Sequence, residues 1–150
     1  MPLRSLLFVP GDSEAKLAGG GRRGADALIL DLEDSVAPAR KAVARDLVAK
    51  HLTDPARDPG LPCLVRINAI QSGWAWDDLE AVLSARPDGL MLPKGDPHLF
   101  ADLDHRLGEM EARANLETGS LPVWVLATRK PPRACSWLAS SAGSARDSAP

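Results

Sequence analysis

The stretch ALILDLEDSVAPAR, residues 27–40, decides the fold. Its first part, residues 27–32, is an apolar run broken by a single carboxylate, too short for a helix and without clean alternation, which is the pattern of a buried strand. The run ends in Asp31-Leu32-Glu33-Asp34, and Pro38 then stands where a helix can begin, with the acidic residues just ahead of it near the positive end of the helix dipole. A helix over residues 36–52 follows, its apolar positions Val36, Val43, Leu47 and Val48 spaced by about one turn. Strand, acidic turn and helix together make one βα unit.

The unit recurs on both sides. Short apolar runs bounded by turn residues lie at 5–9, 64–67, 89–92 and 123–126, each read as a buried strand. Helical spacing joins Leu79, Val82 and Leu83, and again Leu99, Leu103, Leu107 and Met110. The first helix is the weak one: Ser13 or Asp12 can cap it, but Gly19, Gly20 and Gly21 fall where a continuous helix wants Ala or Leu, so it should fray there. Repeats of about 30 residues imply right-handed crossovers and an all-parallel sheet, either doubly wound or closed as a barrel. Periodicity does not choose between the two.

Composition narrows the class of partner. The 150 residues are 45% hydrophobic and 25% charged with a formal net charge of −2, which suits a globular protein with no electrostatic pull toward nucleic acid or an anionic membrane. The expected partner is a small molecule. No apolar run approaches the roughly 18 to 20 residues that span a bilayer, and the opening MPLRSLLFVPGDSE turns polar too early for a signal peptide, so a cytoplasmic location is expected. Cys63 and Cys135 lie far apart in unlike contexts and define neither a redox motif nor a thiolate metal site; Cys63 suits a small buried position beside a strand. From Thr128 onward helical and alternating periods vanish in favour of Ser, Ala, Arg and Pro, so residues 128–150 are expected to form a disordered tail behind a domain of residues 1–127.

Three carboxylates within four residues at a strand end need a reason. One can cap the following helix while the others face water; alternatively they serve an active site, because in parallel βα folds side chains from several strands converge at the carboxyl ends. Arg66, inside Leu64-Val65-Arg66-Ile67, is costly to bury unless paired. An internal ion pair with Glu33 or Asp34 would satisfy it, and its planar fork would also suit a substrate carboxylate. Lys94, ending Leu92-Pro93-Lys94, is a similar case, with plain solvation as the alternative. The turn from Phe8 to Ser13 can present N–H groups to an anion but lacks the glycines and lysine of a P-loop. His51, His98 and His105 have no ligand spacing and are expected to be exposed; Trp74, Trp76 and Trp124 are expected to pack.

Four segments, RSLLFVPGDSEAKL, GADALILDLEDSVAPARKAVAR, LVRINA and RPDGLMLPK, occur in an order that resembles the citrate lyase beta subunit branch of the HpcH/HpaI aldolase family, over residues 3–127. The resemblance implies a (β/α)8 TIM barrel, of which about five of the eight parallel strands are present here, with the first and fifth as open edges and marginal stability. It implies a trimer or hexamer that cleaves a hydroxyacyl-CoA such as citryl-CoA or malyl-CoA to acetyl-CoA and a 2-oxo acid with Mg2+. On that basis Glu33 and Asp34 match the family's acidic catalytic pair, Arg66 the carboxylate-binding arginine, and Phe8 and Lys16 the loop and helix near the CoA or acid. Lys94 matches a recurrent lysine. The chain departs from the family where Ala127-Thr128 is followed by Arg129 and Lys130 in place of a metal-binding Glu. No metal ligand is therefore assigned, the Mg2+ implied by the resemblance is expected not to bind, and turnover is doubtful for this chain. A shift of reading frame near Thr128 would explain that change. The alternatives are a non-catalytic fragment that binds a carboxylate or an intact subunit, and a plain doubly wound ligand-binding domain.

Overall fold

A computed structural model describes residues 3–126 of the chain. Five strands, β1 (Leu6–Pro10), β2 (Ala27–Asp31), β3 (Cys63–Arg66), β4 (Gly89–Leu92) and β5 (Val123–Val125), form one parallel sheet in the order β1-β2-β3-β4-β5. Four α-helices alternate with them: α1 (Glu14–Gly20), α2 (Lys41–Leu52), α3 (Ala75–Leu83) and α4 (Phe100–Arg113). Strand order decides what periodicity left open. A doubly wound sheet reverses direction at a switch point, whereas here each strand lies beside its predecessor, as in the wall of a (β/α)8 barrel. The expected tail at 128–150, with Arg129 and Cys135, lies outside the described residues.

β2 and β4 are buried throughout, which is why they read as apolar runs, with Asp31 at the end of β2 as the one charged residue. β5 departs from the expected burial. Among the described residues it pairs with β4 alone, and Val123, Trp124 and Val125 stay 37%, 41% and 43% exposed. Trp74 is likewise more than a third exposed, so neither it nor Trp124 is the packing residue expected. Trp76 is half-buried and carries the Arg106 guanidinium on its ring, 4.7 Å from the centroid.

The helix expected over 36–52 starts later, at Lys41, after a 3-10 turn at Pro38–Arg40. Ala37, preceding the proline, is extended (φ −64°, ψ 149°), and the chain before it is folded back on the Asp31 side chain, so helical bonds cannot form there. The inward face of α2 also differs from expectation. Ala44, Val48 and Leu52 are buried with Lys41, while Val43 turns outward at 37% exposure. On that inward face Ala44 is fully buried and Val48 packs against Gly11. α1 ends at Gly20, as the glycines imply, and passes through a 3-10 turn into left-handed Gly24 (φ 75°). In α3 and α4, Leu79, Val82, Leu83, Leu103 and Leu107 are buried as their spacing indicates.

His51 corrects another expectation. It is half-buried at the end of α2, its Nε2 has no hydrogen-bond partner, and burial, then the Arg57 charge, push its pKa down, so the ring is neutral at pH 7.

Gly11 holds the exit of β1 against β2. Its N–H donates to the Asp31 carbonyl at 2.9 Å, and a Cβ there would come within 2.8 Å of that same carbonyl oxygen and of Val48 Cγ2. Gly11→Ala should therefore destabilise the fold by about 1–3 kcal/mol in urea titration, because backbone cannot step aside. Gly19→Ala, with nothing within 4 Å of the added carbon, should be neutral or stabilising by up to about 1 kcal/mol.

Candidate active site at the carboxyl ends of the strands

Asp31 and Arg66 are the last residues of β2 and β3 and stand directly opposite each other in the parallel register. Their side chains leave the sheet on the same face and meet as two parallel bonds, Arg66 Nε to Oδ1 and Nη2 to Oδ2, both 2.7 Å. The carboxylate is 1% exposed, and its oxygens also accept the backbone N–H groups of Glu33 (2.8 Å) and Ser35 (3.0 Å). Burial alone would raise the Asp31 pKa, but the Arg66 bonds, then those from Ser35 and Glu33, outweigh it and the pKa lies below the usual range. Arg66 moves the other way: its bonds to Asp31 raise its pKa despite burial. Both partners are charged at neutral pH.

The expected ion pair of Arg66 with Glu33 or Asp34 is present, but the bidentate partner is Asp31, which the sequence alone does not name. Glu33 and Asp34 take only the remaining Nη1 edge, with Glu33 Oε2 at 3.2 Å and Asp34 Oδ2 at 3.7 Å. Parallel register is the signal that would have found Asp31, since residues that end neighbouring strands oppose each other, while Glu33 lies two positions further on. Alternation does hold through the turn. Asp31 and Glu33 are both buried toward Arg66, and the Asp34 side chain is 70% exposed.

Lys94 reaches the same point from β4. Its Nζ lies 3.3 Å from Glu33 Oε1, with 63% of the side chain exposed, and its backbone is left-handed (φ 52°). A lysine in that region costs about 1 kcal/mol or more, and such strain gathers at functional turns. Phe8, on β1, places its ring centroid 4.6 Å from the Arg66 guanidinium carbon and is 45% exposed. Lys16 is not brought to the cluster; it is exposed on α1, lining with Phe8, Pro10 and Gly20 a cleft of about 410 Å³. The structure thus gathers Glu33, Asp34, Arg66, Phe8 and Lys94 and leaves Lys16 at the rim. Among the described residues no three His, Cys, Asp or Glu side chains converge to hold a metal ion, and no helix is long and apolar enough to cross a membrane.

Comparison with known proteins shows the family and the fold. Residues 4–115 match the family model for HpcH/HpaI aldolase/citrate lyase. Citrate lyase subunit beta of Escherichia coli strain K12 is 40% identical over 119 residues, which cover 78% of this chain and 39% of that protein. The chain therefore spans about two fifths of the length of that curated relative. The crystal structure of protein CitE from Mycobacterium tuberculosis with magnesium, acetoacetate and coenzyme A superposes with a TM-score of 0.58 at 32% identity, over 81% of this chain and 38% of that one. Haloferax volcanii malate synthase, in its ternary complex with pyruvate and acetyl-CoA, is alike in fold, with a TM-score of 0.70 at 18% identity over 82% of this chain and 39% of that chain.

Arg66→Met leaves the Asp31 carboxylate buried and unpaired, and should cost about 3–5 kcal/mol in chemical denaturation. The pH dependence has a definite sign. Because the folded pKa of Asp31 is depressed, the unfolded chain binds more protons on acidification. Stability from this group is complete above the ordinary aspartate range and is lost as pH falls through the folded pKa. The stability difference between wild type and Arg66→Met should shrink in acid; a difference independent of pH contradicts the assignment.

Proposed function

The chain belongs to the HpcH/HpaI aldolase/citrate lyase family, and on that premise we propose that its strand-end cluster is part of the active site of a lyase acting on a hydroxyacyl-CoA of the citryl-CoA or malyl-CoA type. The products would be acetyl-CoA and a 2-oxo acid. One observation carries the reading: Arg66 is locked by Asp31 with a single edge left over, and that edge, the Glu33 and Asp34 carboxylates and the Lys94 ammonium all meet at one strand-end position. The names of the relatives support it, since one is a citrate lyase subunit and another structure holds magnesium, acetoacetate and coenzyme A.

In such a cleavage the substrate hydroxyl loses its proton, its carbon becomes the ketone, and the electron pair of the breaking carbon–carbon bond passes to the carbon next to the thioester. That enolate regains a proton to give acetyl-CoA. A base and positive charge are required. Glu33 has both oxygens facing cations, so the exposed and loosely engaged Asp34 is the better placed base. The Nη1 edge of Arg66 and the Lys94 ammonium, shared with Glu33, supply charge for the acid's carboxylate, and Asp31 keeps the Arg66 fork oriented before substrate arrives. Phe8 shields the guanidinium, and the cleft between Phe8 and Lys16 is the side from which CoA would approach.

Magnesium, present in the mycobacterial relative, finds no complete donor set among the described residues, because Glu33 is engaged by Arg66 and Lys94 and no third ligand converges. The same observation favours a second reading, in which the chain binds a small carboxylic acid without turnover. Assembly as a homo-oligomer and a cytoplasmic location accompany the first reading on the strength of the family and the composition.

Acetyl-CoA release from citryl-CoA or malyl-CoA with Mg2+, abolished in Asp34→Asn, is the result expected of the lyase. Saturable oxaloacetate binding without acetyl-CoA release supports the second reading, and neither release nor binding defeats both. Lys94→Ala should weaken oxaloacetate binding roughly 10- to 100-fold, the loss of one charge-assisted bond.

A further inference from the structure

Lys41 is the buried charge of α2. It is 6% exposed, and as the first residue of a 12-residue helix it sets positive charge against the positive end of the dipole. Its ammonium is fully used. Nζ donates to the carbonyls of Leu32 (2.6 Å) and Glu33 (2.7 Å) and to Asn68 Oδ1 (2.7 Å), three donors on three acceptors, with the Trp74 ring 5.2 Å away. Asn68 is itself held in that orientation. Its Nδ2 donates to Leu32 O (2.9 Å) and to Asp78 Oδ2 (2.6 Å), its backbone N–H donates to the same Asp78 oxygen (2.8 Å), and Arg45 Nε closes the network on Asp78 Oδ1 at 2.7 Å. Lys41, Asn68 and Asp78 are all buried, Asp78 at 0% exposure, so these three cannot turn to water without opening the fold.

What the network grips is specific. The Glu33 N–H is held by Asp31 at 2.8 Å, and the Glu33 carbonyl by Lys41 and by the Val36 N–H at 3.2 Å. Both peptide groups of the residue at the centre of the cluster are therefore fixed, one from the sheet and one from α2.

We propose that Lys41 is a positioning residue of this site, which clamps the Leu32 and Glu33 carbonyls and thereby sets where the Glu33 and Asp34 carboxylates stand against Arg66. The role in catalysis or binding rests on the lyase-family reading above; the clamp itself does not. Lys41 touches no reacting atom and acts through the backbone of its neighbours.

The test is Lys41→Met, close in length and without donors, read by amide hydrogen exchange and by oxaloacetate titration in the presence of Mg2+. Exchange at Glu33 and Val36 should speed up by about tenfold or more while Val65 and Leu90, in β3 and β4, keep their protection. Oxaloacetate should bind roughly 10- to 100-fold more weakly, as when a supporting partner is removed from a binding group. Unchanged exchange at Glu33 and Val36 overturns the clamp. Exchange faster throughout, Val65 and Leu90 included, reduces Lys41 to a general stabiliser and overturns the proposal. Loose Glu33 and Val36 amides with undiminished oxaloacetate affinity overturn the positioning role alone. Wild type that neither binds oxaloacetate nor releases acetyl-CoA defeats the functional reading, and the exchange pattern then decides the clamp by itself; where it releases acetyl-CoA without binding oxaloacetate, an undiminished release rate in Lys41→Met overturns the positioning role. Should Lys41→Met not fold, the wild-type ammonium decides: a slowly exchanging Lys41 nitrogen–proton NMR signal supports the clamp, and its absence, with the neighbouring amides visible, overturns it.

Discussion

Two 2.7 Å bonds between Asp31 and Arg66 govern the strand-end region. Taking both charges out of water is expensive, and the pair recovers that cost only through good geometry and further hydrogen bonds. Both are present: the fork is bidentate, and the remaining capacity of the carboxylate goes to the Glu33 and Ser35 amides. Those amide bonds curl the chain after β2 and delay the start of α2 to Lys41. The ion pair therefore shapes the loop as well as neutralising an arginine.

The loop is held from two directions. Asp31 fixes it from the sheet, and Lys41, backed by Asn68 and Asp78, fixes it from the helix layer. Between them stand Glu33 and Asp34, and only the side chain of Asp34 has most of its surface in water. An arrangement locked before ligand arrives avoids paying for reorganisation later, which is the physical advantage of siting such groups at the ends of buried strands. Lys94 differs, being mostly exposed and joined to the cluster by a single 3.3 Å contact, and is the cation freest to follow a ligand.

Much of this was legible in the residues. The apolar runs located all five strands to within about a residue, because buried parallel strands cannot hide polar side chains except at their ends. Glu33, Arg66 and Lys94 were singled out because charge next to such runs demands a partner. Of the partners of Arg66, Glu33 and Asp34 were legible, but Asp31 was not, since it is opposite Arg66 only once the register between β2 and β3 is known, and register is a non-local property. Lys41 was missed for a related reason: in sequence it opens an ordinary amphipathic helix, and its burial follows from carbonyls on one neighbouring loop and an asparagine on another. Val43 turns outward and His51 inward, because which face of α2 is covered depends on the elements packed against it and not on the helix's own spacing. Lys16, placed by resemblance alone, lies at the rim and outside the ion-pair network.

A double-mutant cycle of Asp31→Asn and Arg66→Met in chemical denaturation is the most direct measure of whether one pair organises the strand ends. A coupling free energy of about 1–3 kcal/mol, with the double mutant losing far less than the two single losses combined, is predicted for groups in contact within one network. Additive losses, with coupling near zero, would mean that Asp31 and Arg66 act independently, and the account of the site built on their pairing would be wrong.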